Sequence, residues 1–200
     1  LNITSVHMYG DDVDLTIGIG KDRRWLAGGG NNIPSYEVFT SPNWRQVNGW
    51  IRFNQPLYYQ GSILTDITLH FIDGKVTKAT ASQNVKLLKR MLKIKNGNKL
   101  GEFSLTDSRL SKISHVMAET LYDENMGGKY GNTHVALGNA FKDCYDGTPK
   151  TSWTDADWDK KGFNISTLHT DIISTANRTV VATLPGGSEK VIYKNGQFTL

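Results

Sequence analysis

The chain has 200 residues, 38% hydrophobic and 21% charged, enough for one domain with its own core and too apolar for a disordered segment. Its single cysteine, Cys144, excludes an intramolecular disulfide framework and a cysteine-rich zinc module, and no apolar run approaches the roughly 20 residues that span a bilayer. The formal net charge of +4 comes from one stretch: Lys86, Lys89, Arg90, Lys93, Lys95 and Lys99 fall between Ser82 and Gly101 with no acidic residue among them, which argues against a uniformly basic nucleic-acid binder.

The first 80 residues read as β structure. Val13 to Ile19 alternates apolar and other residues, as a half-buried strand does, and so does Ile67 to Phe71. Asp73-Gly74 suits a type I′ turn leading into Val76 and Ala79, and Trp50 to Phe53 is a further short strand. Val85, Leu88, Met91 and Leu92 fall at helical spacing, so 83–95 is expected to be an amphipathic helix ended by Asn96-Gly97-Asn98. Leu100 to Leu105 follows as a strand, Ile113 to Tyr122 as a second helix and Gly127 to Gly131 as a flexible loop. Thr154 with Asp157 marks another helix start. Strands return at Val180–Leu184 and Val191–Tyr193, the latter closed by an Asn195-Gly196 turn. The expectation is a single α+β domain over 1–200, with a mixed or antiparallel β-rich body and a few helices.

Few residues stand out chemically. His7, His70 and His115 read as surface or packing histidines. His169 and Asp171 share one face if Leu168 to Ile173 is a strand, a pairing suited to a divalent ion though common as an accident. Glu124 and His134 flank the glycine-rich loop and could converge on a metal or be a cap and a surface residue. Glu37 and Glu102 put carboxylates into apolar stretches, where burial requires a partner or an ion and an exposed edge requires neither. Together, Glu37, Glu102, Glu124, His134, His169 and Asp171 have the carboxylate-rich composition of a two-metal hydrolase shell, but spacing alone does not bring them together.

Five segments in order carry a resemblance: Asn32-Ile-Pro-Ser-Tyr-Glu-Val-Phe-Thr-Ser-Pro42, Leu100-Gly-Glu-Phe103, Leu121-Tyr-Asp-Glu-Asn125, His134-Val-Ala-Leu-Gly138 and His169-Thr-Asp171. They resemble the C-terminal domain of the M29 family of metallo-aminopeptidases, the aminopeptidase T and aminopeptidase S type, and the resemblance extends over essentially the whole chain. It implies two divalent ions (zinc, cobalt or manganese) held by Glu37, Glu102, His134, His169 and Asp171. Glu124 would be a further ligand or the general base, and Glu102 would share in the catalytic work. The implied activity is release of N-terminal residues from peptides with a free N-terminus, by a homodimeric protein twice this length. No nucleic-acid or membrane partner is implied.

The chain departs from the family pattern in two places. Phe141 stands where the family usually has a tyrosine seven residues after the histidine, which removes a hydroxyl that could bind substrate or an oxyanion. Tyr145 is the nearest candidate to replace it. The stretch from Glu124 to His134 is also longer than the pattern. Two other readings stand beside the peptidase: a relative that holds metal without turnover, and a binding module whose Lys86, Lys89, Arg90 and Lys93 dock on an acidic partner. A start at Leu1 without a leader pattern, and one cysteine, lead to the expectation of a fragment from a cytoplasmic protein. The three Asn-x-Ser/Thr triplets, at Asn2, Asn164 and Asn177, read as chance on that basis.

Overall fold

A computed structural model describes residues 1–27 and 36–200. Its first half holds strands β1 (Ser5–Gly10), β2 (Val13–Gly18), β3 (Leu26–Ala27), β4 (Glu37–Thr40) and β5 (Val47–Arg52). Then come β6 (Leu57–Tyr59), β7 (Ser62–Leu64), β8 (Thr68–Ile72), β9 (Lys75–Thr80) and helix α1 (Val85–Met91). The second half holds β10 (Leu100–Thr106), α2 (Thr120–Asp123), β11 (Asn132–Gly138), α3 (Asp155–Lys160) and β12 (His169–Ser174). It closes with β13 (Thr179–Thr183), β14 (Glu189–Lys194) and β15 (Gln197–Phe198).

Two antiparallel sheets carry the domain. The larger runs β15-β14-β13-β1-β2-β5-β8-β9, the smaller β12-β11-β10-β4-β3, and β6 and β7 form a separate ribbon. Alternation decides what lies between them. Val6, Met8, Leu15, Ile17, Ile51 and Leu69 of the larger sheet meet Phe103, Leu105, Val135, Leu137 and Ile172 of the smaller in one apolar core. Asp73 and Gly74 take φ of 47° and 78°, the positive pair that a type I′ turn between β8 and β9 needs. A buried Arg178 ties the sheets at one end. Its guanidinium grips Asp12, in the β1–β2 turn, at 2.9 and 3.0 Å and donates to Thr133 Oγ1 of β11 at 2.8 Å.

The helices are shorter than their periodicity predicts. α1 covers only 85–91, starting from Asn84 in the left-handed region. Beyond it, tight three-residue turns (Lys93 N–H to the Arg90 carbonyl, Ile94 N–H to Met91, Gly97 N–H to Ile94) keep Leu92 and Ile94 against the core without continuing the helix. Lys86, Lys89, Arg90 and Lys93 face solvent, while Leu87, Leu88 and Met91 are buried. Lys99 leaves the basic patch altogether, its amine lying 3.5 Å over the Trp44 ring.

The helix expected over 113–122 reduces to α2. Residues 113–119, with His115, are irregular and held by long-range contacts. Gly127 N–H reaches the Ile113 carbonyl, the Asp123 carboxylate accepts Met117 N–H at 2.7 Å, and Ala118 has a φ of 59° that no helix contains. At α3, Asp157 accepts both the N–H and the hydroxyl of Thr154, the capping arrangement the sequence suggested. Among the described residues, no helix is long and apolar enough to cross a membrane.

Candidate metal centre

The smaller sheet gives one face to the core and the other to chemistry. Cross-strand register places Glu102, Ala136 and Asp171 in one transverse row, with Ser104, His134 and Ile173 in the next. Glu37 pairs with Thr106 one row further on, and His169 pairs with Gly138. Side chains directly opposite one another in antiparallel strands share a face, so Glu37, Glu102, His134, His169 and Asp171 all project away from the core. Ala136 is small, which lets the carboxylates on either side of it lean together.

A bulge aims Glu102. Leu100 pairs with Leu137, yet Glu102 pairs with Ala136, so Gly101 is an extra residue on β10. Leu100 and Phe103 can then both enter the core while Glu102 turns the other way. A side chain at Gly101 would run into the carbonyl of Asn139.

The five side chains converge. His134 Nε2 lies 3.4 Å from Glu37 Oε2, 3.4 Å from Glu102 Oε1 and 3.8 Å from Asp171 Oδ1. His169 Nε2 lies 3.5 Å from Glu102 Oε2 and 3.4 Å from Asp171 Oδ1. The donors fall into two groups, Glu37–Glu102–His134 and Glu102–His169–Asp171, with Glu102 in both. Supporting contacts fix their orientation: Ser104 Oγ donates to Glu37 Oε2 at 2.8 Å, and His169 Nδ1 faces the Asn139 carbonyl at 2.8 Å. An Nδ1–H donated to that carbonyl turns Nε2 toward the carboxylates, where it carries a proton in the imidazolium and would offer a lone pair to a metal that displaced that proton. Four of the five are buried, and the His169 side chain, 28% exposed, opens the group to solvent.

Electrostatics make this group costly without a cation. Burial, reinforced by Asp171 and Glu37 and opposed by His134, raises the Glu102 pKa to about 7. Burial and the charge of Asp171 raise buried Glu124 to about 8, which places it within the field of the group. Burial opposes charge on His134, but Glu102, Glu37 and Asp171 outweigh it and lift its pKa to about 10. The same contest, won by Asp171 and Glu102, lifts His169 to about 9. Burial works against ionised Asp171, yet His169 and His134 hold it below the usual range. Two imidazolium charges thus stand in for cations among acidic groups. Among the described residues, neither His134 nitrogen nor Asp171 Oδ1 makes a hydrogen bond. Orphaned buried donors of oxygen and imidazole type fit a divalent metal.

Comparison with known proteins agrees. The family model described as "Thermophilic metalloprotease (M29)" matches residues 1–198. The chain belongs to the M29 metalloprotease family. It is 30% identical to aminopeptidase PepS of Streptococcus thermophilus over 98% of its length and 49% of that protein's, and 27% identical to aminopeptidase T of Thermus aquaticus with the same two coverages. The structure of wild-type AmpT from Thermus thermophilus superimposes with a TM-score of 0.86 and 26% identity, covering 99% of this chain and 50% of that one. The chain therefore spans about half the length of the M29 relatives it matches. A dioxygenase from Pseudomonas putida KT2440 shares the fold at 14% identity and a TM-score of 0.56, covering 98% of this chain and 55% of that one.

The remaining expected residues fall into place differently in this M29 chain. Glu124 is buried at the end of α2, where Asn132 Nδ2 donates to its carbonyl at 2.7 Å. The Phe141 ring meets His169 edge-on at 4.8 Å and Phe39 at 5.5 Å, and stays 39% exposed at the mouth of the group. Tyr145 turns away into a second apolar cluster with Trp158 and Phe163, its ring edge-on to both. Of the Asn32–Pro42 segment, 32–35 lie outside the described residues. His7 pairs with Asp14 at 2.8 Å, an exposed contact whose residues belong to neither donor group. Sequence reasoning passed over Ser104, Asn125 and Asn139. Ser104, two residues from Glu102 on the same strand, carried a readable signal.

Proposed function

We propose that the chain is the C-terminal, metal-binding domain of a cytoplasmic, homodimeric aminopeptidase that removes N-terminal residues from peptides. The observation that carries this reading is the pair of donor groups joined at Glu102, the arrangement a two-ion centre requires. Glu37 and His134 would help hold one divalent ion, His169 and Asp171 the other, and Glu102, which belongs to both groups, would serve each. Bound ions of zinc, cobalt or manganese type would supply a more acidic water and a polarised scissile carbonyl.

The chain's own residues do the rest. Glu124, whose pKa burial and the neighbouring acids raise to about 8, would ionise more readily with cations held beside it. It then takes the proton of the attacking water and returns it to the leaving amine. His169 lines the open side and orients through the Asn139 carbonyl. Phe141 offers an apolar edge there.

Metal analysis together with leucyl-anilide hydrolysis by the full-length protein that contains this chain tests the proposal, since the chain alone is expected to hold the ligands but to hydrolyse poorly. Two ions per chain and hydrolysis that chelator abolishes are expected, with Glu102→Gln lowering bound metal. Retention of both ions by Glu102→Gln and by His169→Ala alike would overturn the site assignment. Phe141 favours a second reading, a centre that holds metal without turnover, because the position beside His169 has no hydroxyl. Two bound ions with no hydrolysis of any peptide substrate would establish that reading, and Phe141→Tyr would then be expected to restore activity.

A further inference from the structure

Asn125 follows Glu124 directly and its side chain is fully buried. Its carboxamide oxygen accepts two backbone N–H groups at the start of β4, from Tyr36 at 2.6 Å and from Glu37 at 3.1 Å. Its Nδ2 donates to the Leu121 carbonyl in α2 at 3.2 Å. Its own backbone carbonyl accepts the Ser111 hydroxyl, in the segment after β10. The Asn125 amide therefore ties the start of β4, which bears Glu37, to α2 and the turn that bears Glu124, and its backbone carbonyl holds Ser111 beside them. Glu37 enters β4 at its first residue, where strand pairing constrains the backbone least, so the Asn125 oxygen supplies the restraint that register does not.

We infer that Asn125 is the positioning residue of the Glu37 side of the metal centre, setting where the Glu37 carboxylate stands relative to Glu124. The inference rests on the two-ion reading above. It makes an asymmetric claim. Asn125 touches the backbone of Glu37 but neither His169 nor Asp171, so its loss weakens the Glu37–Glu102–His134 group and spares the Glu102–His169–Asp171 group. Groups that orient a ligand are worth about 10–100-fold in metal affinity.

Zn²⁺ titration of the full chain against a chromophoric chelator tests this. Unaltered protein is expected to take up two ions. Asn125→Leu, which matches the shape but removes the acceptor, should lose about 10–100-fold at one of the two sites and keep the other. Asn125→Asp, which keeps an oxygen for both N–H groups, should recover most of that affinity. Should Asn125→Leu not fold, Asn125→Ala provides the same reading, because its cavity admits water to the N–H groups. Equal weakening of both sites would mark Asn125 as a general stability residue and overturn the inference, as would full affinity in the Leu or Ala variant. Unaltered protein that binds no Zn²⁺ would overturn the two-ion reading itself, an outcome distinct from both.

Discussion

In the proposed function, Glu124 is the residue whose role separates metal binding from turnover. Burial, reinforced by the charges of Asp171, Glu37 and Glu102, moves its pKa to about 8. A general base loses its function when its carboxylate becomes an amide, whereas a ligand loses the ion. Glu124→Gln is expected to keep both ions and to lower kcat by about 10²–10⁴-fold, read from steady-state kinetics with metal content measured in parallel. Loss of one ion in that variant would make Glu124 a ligand instead. The two histidines of the donor groups differ in their surroundings. His134 is enclosed and has carboxylates as its near neighbours, while His169 is half open and braced by a backbone carbonyl.

At the scale of elements, Arg178 shows what the sheets demand of each other. Its charge is fully buried, held by Asp12 on one sheet and Thr133 on the other. Asp12→Ala would leave the guanidinium without its counter-charge and is expected to destabilise the fold by about 3–5 kcal/mol in urea unfolding. Adding Arg178→Leu should recover part of that loss. A loss from Asp12→Ala alone comparable to that of a surface substitution would contradict the account. The elements also show what a reader of the sequence could find. Strands β2 and β8 follow from alternation and the β8–β9 turn from Asp73-Gly74, because both signals are local, while β5, β10, β13 and β14 are legible only as short strand candidates. The supposed helix at 113–122 failed because Ile113, Met117 and Leu121 repeat at helical spacing while tertiary bonds from Asp123 and Gly127 set the backbone. Convergence of Glu37 with Glu102, 65 residues away, could not be read at all from spacing. It depends on strand order and on the Gly101 bulge, and the family resemblance supplied it instead.

The whole molecule carries the linkage between protons, metal and stability. Glu102, Glu124, His134 and His169 each bind a proton more tightly in the folded chain than in the unfolded one. Their stabilising contribution is therefore complete at acid pH and declines as pH rises. The carboxyls give it up from 4.5 through about 7 and about 8, and the imidazoles from 6.5 through about 9 and about 10. Asp171 has the opposite sign and matters only below its ordinary value of 3.8. In chelator, Tm is expected to fall steadily between about pH 5 and pH 9; with saturating Zn²⁺ that slope should flatten, because ions displace the same protons. A chelator-treated Tm that climbs over this range would contradict the electrostatic account.

The transverse row of Glu102, Ala136 and Asp171 also bears on how the chain finds its structure. A one-residue slip of β12 against β11 would swing Asp171 into the apolar layer and His169 out of reach, and closing the Gly101 bulge would do the same to Glu102. The Glu102–His169–Asp171 group forms only when β10, β11 and β12 are correctly aligned. On the proposed two-ion reading, metal binding would therefore favour the native strand alignment over its slipped neighbours.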